Sequence, residues 1–479
     1  MQYRNPILYA DLSDPDVIRV GEDFYMTASS FTYVPGLPVL HSRDLVHWEL
    51  IGNAASRLPD GRYSRPAHGC GIWAPALRYR QGLFYIYACM PDEGLYAWTA
   101  EDPSGPWSCH LVRKVTGWID PCPLFEEGGP WLIHGFAASR VGINNILYIH
   151  RLSEDGLSVL DKGRRVYDGA EHGDVTVEGP KIYRREEMYW ILCPAGGVRT
   201  GYQLALRSRD LFGPYERRIV LSQGNSPVNG PHQGGWVDDG KGNNWFIHFQ
   251  DVGPYGRIPH LQPVDWSEGW PVMGDRGVPV AGGDTGLPGI PLSVPLSDGF
   301  ESGIGPVWQW QANPDSAWYT LQNPGLRLHA LPADRLYDAG QFLSRLMPFR
   351  HFSLDAAFTA ALDADGLAGI GMMGCTWYYA ALGNGAVRLV RGTADSPEQE
   401  LLSVPYKNTE LMLRMQVRDG FVSFLFGSGP DDLQPLGSAF PMAAGGWTGA
   451  RPGIFCISKS RNPAGYADFR SVRILRCQE

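Results

Sequence analysis

Five similar segments within residues 1–275 constrain the fold of this chain more than any other feature. Each segment opens with a polar residue or Trp, continues as a short β-branched or aromatic strand, turns, and returns as an aromatic-rich strand. Their opening residues are Asp14, Trp73, Asp120, Glu178 and His232, so successive copies are 47 to 59 residues apart. Repeats of strands and turns at this spacing are typical of β-propellers. The sequence therefore predicts a five-bladed β-propeller.

The opening residues of the five copies are also the candidate functional residues. In a propeller the innermost strand of each blade lies beside the central channel, so we expect these residues to converge there. Asp14, Asp120 and Glu178 are then three carboxylates that repel one another unless function compensates. Cleavage of a glycosidic bond needs such a set, because a neutral carboxyl protonates the leaving oxygen while an ionised one activates water or attacks directly. Taken singly, Asp-Pro and Glu-Gly-Pro are also ordinary turn formers.

The pattern changes after the fifth copy. Residues 277–297 are rich in Gly and Pro and nearly free of charge, which predicts a linker. Alternating segments such as Phe352–Phe358 and Val422–Phe426 follow, with turn residues about every ten positions, and predict a jelly-roll β-sandwich. We therefore expect an all-β protein with a propeller at residues 1–290 and a sandwich at residues 296–479.

Net charge and composition limit the classes of molecule that the protein is expected to bind. The net charge is −9 and the sequence pI is about 5.8, which argues against nucleic acid or an anionic membrane as the main partner. Aromatic residues make up 12% of the chain and include 16 Trp, which suits a surface that binds sugars. The N-terminal residues lack a basic segment followed by an apolar one, so the expected location is cytoplasmic. A homo-oligomer is compatible with the sequence, although no feature requires one.

Several motifs together identify a family. They are Asn5-Pro6-Ile7-Leu8 before Asp14-Pro15-Asp16, His41 to Trp48, Gly71-Ile72-Trp73-Ala74-Pro75, Glu178-Gly179-Pro180, and Asp265-Trp266 to Gly269-Trp270-Pro271-Val272. In combination they resemble glycoside hydrolase family 43, in the branch of β-xylosidases and α-L-arabinofuranosidases with an appended sandwich. The resemblance covers the whole chain. It implies a five-bladed propeller with a concanavalin A-like sandwich.

The resemblance also implies roles for individual residues. Asp14 matches the general base, Glu178 the general acid, and Asp120 the third carboxylate, which raises the pKa of the acid and orients it. Phe31 and Trp73 match aromatic walls of the sugar pocket, and Arg257 matches a donor to the sugar hydroxyls. His232 matches a residue beside a channel site for water or a metal, which implies calcium as a cofactor. Because the family inverts, the two catalytic carboxylates are expected about 6.5–9.5 Å apart.

The roles of two residues, Arg140 and Phe455, are not decided by the resemblance. Residues 136–140 read Phe-Ala-Ala-Ser-Arg where one β-xylosidase branch carries a Trp. Arg140 is a candidate to contact the leaving group in its place, although a loop Arg bonded to backbone explains it equally well. Phe455 is a candidate either for the pocket rim or for the core of the sandwich.

The expected activity is that of an inverting exo-glycosidase. It removes non-reducing terminal α-L-arabinofuranosyl or β-D-xylosyl units from oligosaccharides of arabinoxylan or xylan. One alternative is a non-catalytic propeller that binds carbohydrate. Another is a retaining hydrolase of the fructosidase type, although Ser13 and Asp16 do not reproduce the Asn-Asp-Pro-Asn setting of those enzymes.

Overall fold

The predicted all-β fold is confirmed by a computed structural model, which describes residues 1–59, 61–289, 296–322 and 324–477. Five four-stranded antiparallel sheets come first along the chain, and two larger sheets follow them. The five small sheets are the blades of the propeller, and the two larger ones pack together as the sandwich. The boundaries predicted at 290 and 296 lie at the edges of a segment outside the described residues, so they stay predictions.

Each blade contains four sequential strands, paired in chain order. Blade I is Asp16–Val20, Asp23–Thr27, Gly36–Ser42 and Glu49–Ala55; blade II is Trp73–Arg80, Leu83–Met90, Gly94–Ala100 and Ser108–Lys114; blade III is Trp118–Leu124, Trp131–Phe136, Ile146–Arg151 and Arg164–Asp168; blade IV is Lys181–Arg185, Met188–Ala195, Tyr202–Ser208 and Glu216–Leu221; blade V is His232–Asp238, Asn244–Asp251, Arg257–Asp265 and Val272–Met273. The first two strands of every blade coincide with one of the five predicted hairpins. The repeat in the sequence is therefore a repeat of blades.

The inner strands begin with an irregularity that aims side chains at the channel. Pairing with the second strand shifts register between Trp73 and Ala76 in blade II, between Ile119 and Cys122 in blade III, and between His232 and Gly234 in blade V. Left-handed residues, with positive φ, occur at or next to these starts: Asp14, Ala74, Asp120, Gly179 and Gln233. Such backbone is costly for a residue with a Cβ, by roughly 1–3 kcal/mol, and is commonly found at functional sites. These left-handed residues occupy equivalent positions in the five blades. In three blades the equivalent residue, Ala74, Gly179 or Gln233, follows the predicted opening residue by one position.

Buried polar contacts tie the inner strands together below these starts. Asp16 of blade I accepts hydrogen bonds of 2.8 Å from the Leu77 N–H and from Nη1 of Arg78 in blade II. Lys181 of blade IV is fully buried and donates to the carbonyl oxygen of Pro75 in blade II at 2.9 Å. Because each buried charge meets a partner, these contacts hold the blades in register rather than destabilise the channel.

The ends of the propeller are joined by a short sheet. Gln2–Arg4 pairs antiparallel with Gly282–Asp284, and Asn5 donates from Nδ2 to the carbonyls of Leu261 and Val280. Part of the predicted linker is therefore a strand that closes the propeller. Residues 290–295 of that linker lie outside the described residues.

The sandwich consists of two sheets whose facing sides form one large apolar core, and their strands are antiparallel except that Leu331–Pro332 pairs parallel with Arg451–Ser458. The first sheet contains Ser297–Asp298, Tyr319–Leu321, Leu326–His329, Phe352–Leu362, Glu410–Arg418, Phe421–Gly427, Gln434–Pro435, Phe440–Pro441 and Gly465–Arg476; the second contains Trp308–Gln309, Leu331–Pro332, Leu343–Arg345, Gly366–Met373, Thr376–Gly383, Ala386–Thr393, Ser396–Pro405 and Arg451–Ser458. The period-two alternation of the sequence is this inward and outward alternation of side chains.

Helices are short turns: Gly61–Ser64, Ala138–Val141, Gly169–His172, Gly197–Thr200, Gly253–Tyr255, Ser316–Trp318 and Leu336–Asp338. None of the helices found in the described ranges has the length and apolarity to cross a membrane.

The sandwich docks on the propeller through backbone and aromatic contacts. Val34 and Trp310 exchange two backbone hydrogen bonds of 2.6 and 2.9 Å. His68 stacks on Tyr337 with ring centroids 3.7 Å apart. Tyr255, from a turn of blade V, is buried in the core of the sandwich. The two domains are therefore packed as one unit, and the turn of blade V lies between them.

Candidate active site

A cavity of about 480 Å³ opens at the end of the channel where the inner strands begin. Small-molecule sites commonly have volumes of about 300–1,000 Å³, so a sugar unit is of suitable size. All five blades contribute to its wall: Asp14, Phe31, Trp73, Ala74, Ile119, Asp120, Thr176, Glu178, Gly196, Gly197, Val198, Arg199, Thr200, Gln233 and Arg257, joined by Trp447 of the sandwich. The three predicted carboxylates and the predicted Phe31, Trp73 and Arg257 thus line one pocket.

Asp14 is buried and held at both carboxylate oxygens. Oδ2 accepts from the Ser29 hydroxyl at 2.6 Å, and Oδ1 faces Nη1 of Arg257 at 3.1 Å. The Ser29 hydroxyl in turn accepts from the Ala74 N–H at 2.8 Å, which ties Asp14 to the strand that carries Trp73. The pairing with Arg257 thus sets a positive charge beside the Asp14 carboxyl and fixes its orientation in the pocket. Ser29 is a residue that sequence reasoning missed, since no motif distinguishes it.

Asp120 and Glu178 lie where burial favours the neutral acid. The Gly179 N–H donates to Oδ2 of Asp120 at 2.7 Å, so the carboxyl of Asp120 meets the backbone that carries Glu178. Burial, and then the charge of Asp14, raises the pKa of Asp120. The side chain of Glu178 stays partly open to the pocket, while the protein around it displaces bulk water. Burial, followed by the charges of Asp120 and Asp14, raises the pKa of Glu178 far above its usual range.

The aromatic wall joins blades I and II. The rings of Phe31 and Trp73 are 6.3 Å apart at 58°. Backbone hydrogen bonds of 2.9 and 3.0 Å between Phe31 and Ile72 hold the two loops together. Gly71, at φ +85, permits this approach, because a Cβ there would lie 2.1 Å from the Phe31 carbonyl oxygen. The Gly-Ile-Trp motif of the sequence thus places the Trp beside the Phe.

A tryptophan from the sandwich completes the wall. Trp447 is 46% exposed, with its ring centroid 6.1 Å from that of Trp73 and the Arg257 guanidinium carbon 5.8 Å from its centre. Sequence reasoning missed Trp447 and considered Phe455 instead. Phe455 is fully buried in the sandwich, against Tyr379, so its candidacy for the pocket rim was wrong. The signal that the sequence offers for Trp447 is its place in the glycine-rich run Gly445-Gly446-Trp447-Thr448-Gly449.

Arg140 lies beside the pocket rather than in its wall. Its guanidinium pairs with both carboxylate oxygens of Asp92 at 3.1 and 3.2 Å and lies 5.0 Å from the centre of the Trp73 ring. The partner of Arg140 is therefore a carboxylate rather than loop backbone. This position is next to the aromatic wall, so a contact with a leaving group stays a prediction.

His232 lies behind the pocket wall, and the neighbouring Gln233 faces the cavity. His232 is buried against Phe249, and burial lowers its pKa to about 3, so its ring is neutral. Neither ring nitrogen has a hydrogen-bond partner among the described residues, which fits a bound water. Calcium prefers six to eight oxygen ligands. Among the described residues no group of three His, Cys, Asp or Glu side chains is arranged to hold a metal ion directly, and calcium as a cofactor stays a prediction.

The pocket is aromatic, lies in a propeller and holds several carboxyl groups, of which one is paired with a cation and another has a raised pKa. This arrangement is that of a glycoside hydrolase. Residues 3–271 match the family described as Glycosyl hydrolases family 43, and residues 297–474 match the β-xylosidase C-terminal concanavalin A-like domain. The chain belongs to glycoside hydrolase family 43. Members of this family are inverting glycosidases, so neither a non-catalytic propeller nor a retaining enzyme is supported.

Relatives with assigned names agree with this family. A candidate β-xylosidase of Xylanibacter ruminicola is 38% identical over 467 residues, which cover 94% of this chain and 85% of that protein. A non-reducing end α-L-arabinofuranosidase of Bacteroides ovatus is 36% identical over 359 residues, covering 68% of this chain and 64% of that enzyme. A solved structure of a family 43 protein from a B. ovatus xyloglucan locus superposes with a TM-score of 0.87 at 26% identity, over the full length of both chains.

Proposed function

We propose that this enzyme removes single non-reducing terminal pentose units, β-D-xylosyl or α-L-arabinofuranosyl, from short xylan or arabinoxylan oligosaccharides with inversion. The observation that carries the proposal is the opposite environment of two carboxyls in one pocket. Asp14 is paired with Arg257, while burial and like charges raise the pKa of Glu178. One pocket therefore offers a carboxylate that faces a guanidinium, as a base, beside a carboxyl whose raised pKa favours the protonated form that an acid needs. The names of the relatives supply the two sugars.

In the proposed reaction Glu178 donates its proton to the glycosidic oxygen as the bond to the anomeric carbon breaks. Asp14 takes a proton from a water that attacks the opposite face of that carbon, so the configuration inverts. The Ser29 hydroxyl and Arg257 hold the Asp14 carboxylate towards this water. Asp120 keeps the proton on Glu178, and its bond to the Gly179 N–H fixes the backbone of the acid.

The test compares the 4-nitrophenyl glycosides of β-D-xylose and α-L-arabinofuranose, followed by the corresponding disaccharides. We expect turnover of at least one aryl pentoside, with proton NMR showing the product anomer opposite to the substrate at early times. The matched substrates are the aryl β-glucoside and the aryl fructofuranoside, for which we expect no turnover. Retention of configuration, or hydrolysis of the fructofuranoside alone, would contradict the proposal.

The pH dependence of kcat provides a separate prediction. Because the acid must hold its proton, activity is present below the raised pKa of Glu178 and is lost as the pH rises through it. The alkaline limb is therefore expected well above the ordinary glutamate pKa of about 4.3. The substitution Asp120→Asn removes a like charge and keeps an acceptor for the Gly179 N–H, so we expect this limb to move to lower pH. A limb that stays in place in Asp120→Asn would exclude electrostatic control by Asp120.

We also expect Trp447 to bind substrate. The substitution Trp447→Ala should raise KM about tenfold, which corresponds to roughly 1.4 kcal/mol, while kcat changes little. The substitution Trp447→Phe keeps an aromatic face and should stay within about threefold of the wild-type KM. Both variants should melt at the wild-type temperature, because the side chain is 46% exposed. Unchanged KM in Trp447→Ala would place the ring outside the substrate site.

A further inference from the structure

One buried carboxyl outside the pocket connects three of the segments that contribute to the pocket. Asp11 lies three residues before Asp14 and is only 6% exposed. Oδ1 accepts from the backbone N–H of Arg257 at 2.9 Å, and Oδ2 accepts from the N–H of Gly449 at 2.8 Å. The same carboxylate therefore connects the segment of the base, the active-site arginine and the sandwich loop that carries Trp447.

Asp11 acts as a double acceptor, a role that a carboxyl group can fill. Each of its two oxygens accepts a backbone N–H, and Oδ1 also faces the Ser13 hydroxyl at 3.4 Å. Burial raises the pKa of Asp11, while the buried Arg451 and the two backbone donors oppose that shift and favour the charge. Arg451 also stacks on the ring of Tyr33 at 3.6 Å, so the counter-charge is fixed in the interface between the domains. An asparagine could satisfy one of the two N–H groups and would direct its own NH₂ at the other.

The backbone of the sandwich loop at Gly449 packs closely against the backbone of the blade V turn at Tyr255 and Gly256. A Cβ on Gly449 would lie 2.7 Å from the carbonyl carbon of Tyr255 and 2.8 Å from the nitrogen of Gly256. A Cβ on Gly256 would lie 2.3 Å from Oδ1 of Asp11. The Ala450 N–H donates to the Pro254 carbonyl at 2.7 Å, and the Tyr255 hydroxyl accepts from the Gly420 N–H at 2.9 Å. The turn of blade V before Arg257 is thus enclosed by the sandwich.

We propose that Asp11 is a positioning residue that couples the sandwich to the active site, by fixing Arg257 and the Trp447 loop against each other. The sandwich is then a functional part of the pocket, and its docking sets the affinity for substrate. This inference rests on the proposed function only for its kinetic readout.

The kinetic test uses Asp11→Asn on the aryl pentoside that the wild type cleaves best. We expect KM to rise about tenfold with kcat within about threefold, because the lost bond loosens groups that bind the sugar. A double-mutant cycle combines Asp11→Asn with Trp447→Ala. The fold-increase in KM of the double variant should be at least threefold smaller than the product of the fold-increases of the two single variants, since both act on the same contact.

The matched control is Asn313→Asp. Asn313 also bridges the domains, with two hydrogen bonds of 2.8 Å to the backbone of Leu58, and it does not line the pocket. This variant should weaken the domain interface while keeping the wild-type KM, and its effects should multiply with those of Trp447→Ala. If Asp11→Asn and Asn313→Asp change KM equally, Asp11 is merely structural and the proposal is overturned.

A readout independent of turnover separates this proposal from the proposed function. In protein labelled with 5-fluorotryptophan, the ¹⁹F resonance of Trp447 is assigned by its loss in Trp447→Phe. We expect that resonance to shift or broaden in Asp11→Asn and to stay unchanged in Asn313→Asp. If Asp11→Asn does not fold, Gly449→Ala takes its place, because its Cβ separates the same backbones. An unchanged resonance in the folded variant overturns the proposal, even if no pentoside is cleaved.

Discussion

Glu178→Gln is expected to lose at least about 10³-fold in kcat on a xylose or arabinose disaccharide, because glutamine has no proton to give to the leaving oxygen. On a 4-nitrophenyl pentoside the loss should be far smaller, below about 10²-fold, since nitrophenolate leaves without protonation. The measurement is kcat on the two substrates with the same enzyme preparation. The difference between them is the signature of a general acid.

The control for Glu178→Gln is Glu187→Gln, because Glu187 is exposed in the turn between the first two strands of the same blade. That variant should match the wild type on both substrates. We expect the melting temperature of Glu178→Gln to equal or exceed that of the wild type, since an amide is neutral without the cost of protonating a buried carboxyl, which the raised pKa of Glu178 represents. Equal losses on the disaccharide and the nitrophenyl glycoside would show that Glu178 is not the acid.

Asp14→Asn is expected to lose about 10³- to 10⁴-fold in kcat on both kinds of substrate. The attacking water needs a base whatever group leaves, so the loss should not depend on the leaving group. KM should change much less than kcat, because the carbonyl oxygen of the introduced amide can still accept from the Ser29 hydroxyl or from Arg257. The measurement is again kcat on the disaccharide and the nitrophenyl pentoside.

The comparison of the two variants assigns the roles. A loss that depends on the leaving group in Glu178→Gln, beside a uniform loss in Asp14→Asn, identifies acid and base separately. If Asp14→Asn retains more than a tenth of the wild-type kcat while remaining folded, water is activated by another group. A reversed pattern would exchange the two roles while leaving the reaction class unchanged.

Much of the fold could be predicted from the sequence, because blade formation is a local process. The hairpin of each inner strand pairs residues close in the chain, as in Val17 with Met26 or Ile182 with Ile191, so period and turn residues suffice. The carboxylates at the strand starts followed from the repeat. What the repeat could not give was the one-residue offset at the register shifts, which places Gln233 in the wall and His232 behind it.

The contacts between domains lay beyond sequence reasoning for a physical reason. Trp447 lies four residues before the strand Arg451–Ser458 and Phe455 lies within it, and only the tertiary packing decides which of the two rings reaches the pocket. That packing depends on pairings such as Asp11 with Gly449, which are 438 residues apart in the chain. A short-range sequence pattern cannot predict a contact between residues so far apart in the chain.

The sequence by itself determined the five blades, the following sandwich and the three carboxylates that meet in one pocket. These features follow from short-range pairing and from a repeat that places equivalent residues on one axis. Only the tertiary structure decided that Arg257 pairs with Asp14, that Trp447 closes the aromatic wall, and that Asp11 joins the two domains. Each of these contacts joins segments that are distant in the chain. Such contacts are decided by how the folded segments pack together, and the local sequence pattern does not specify them.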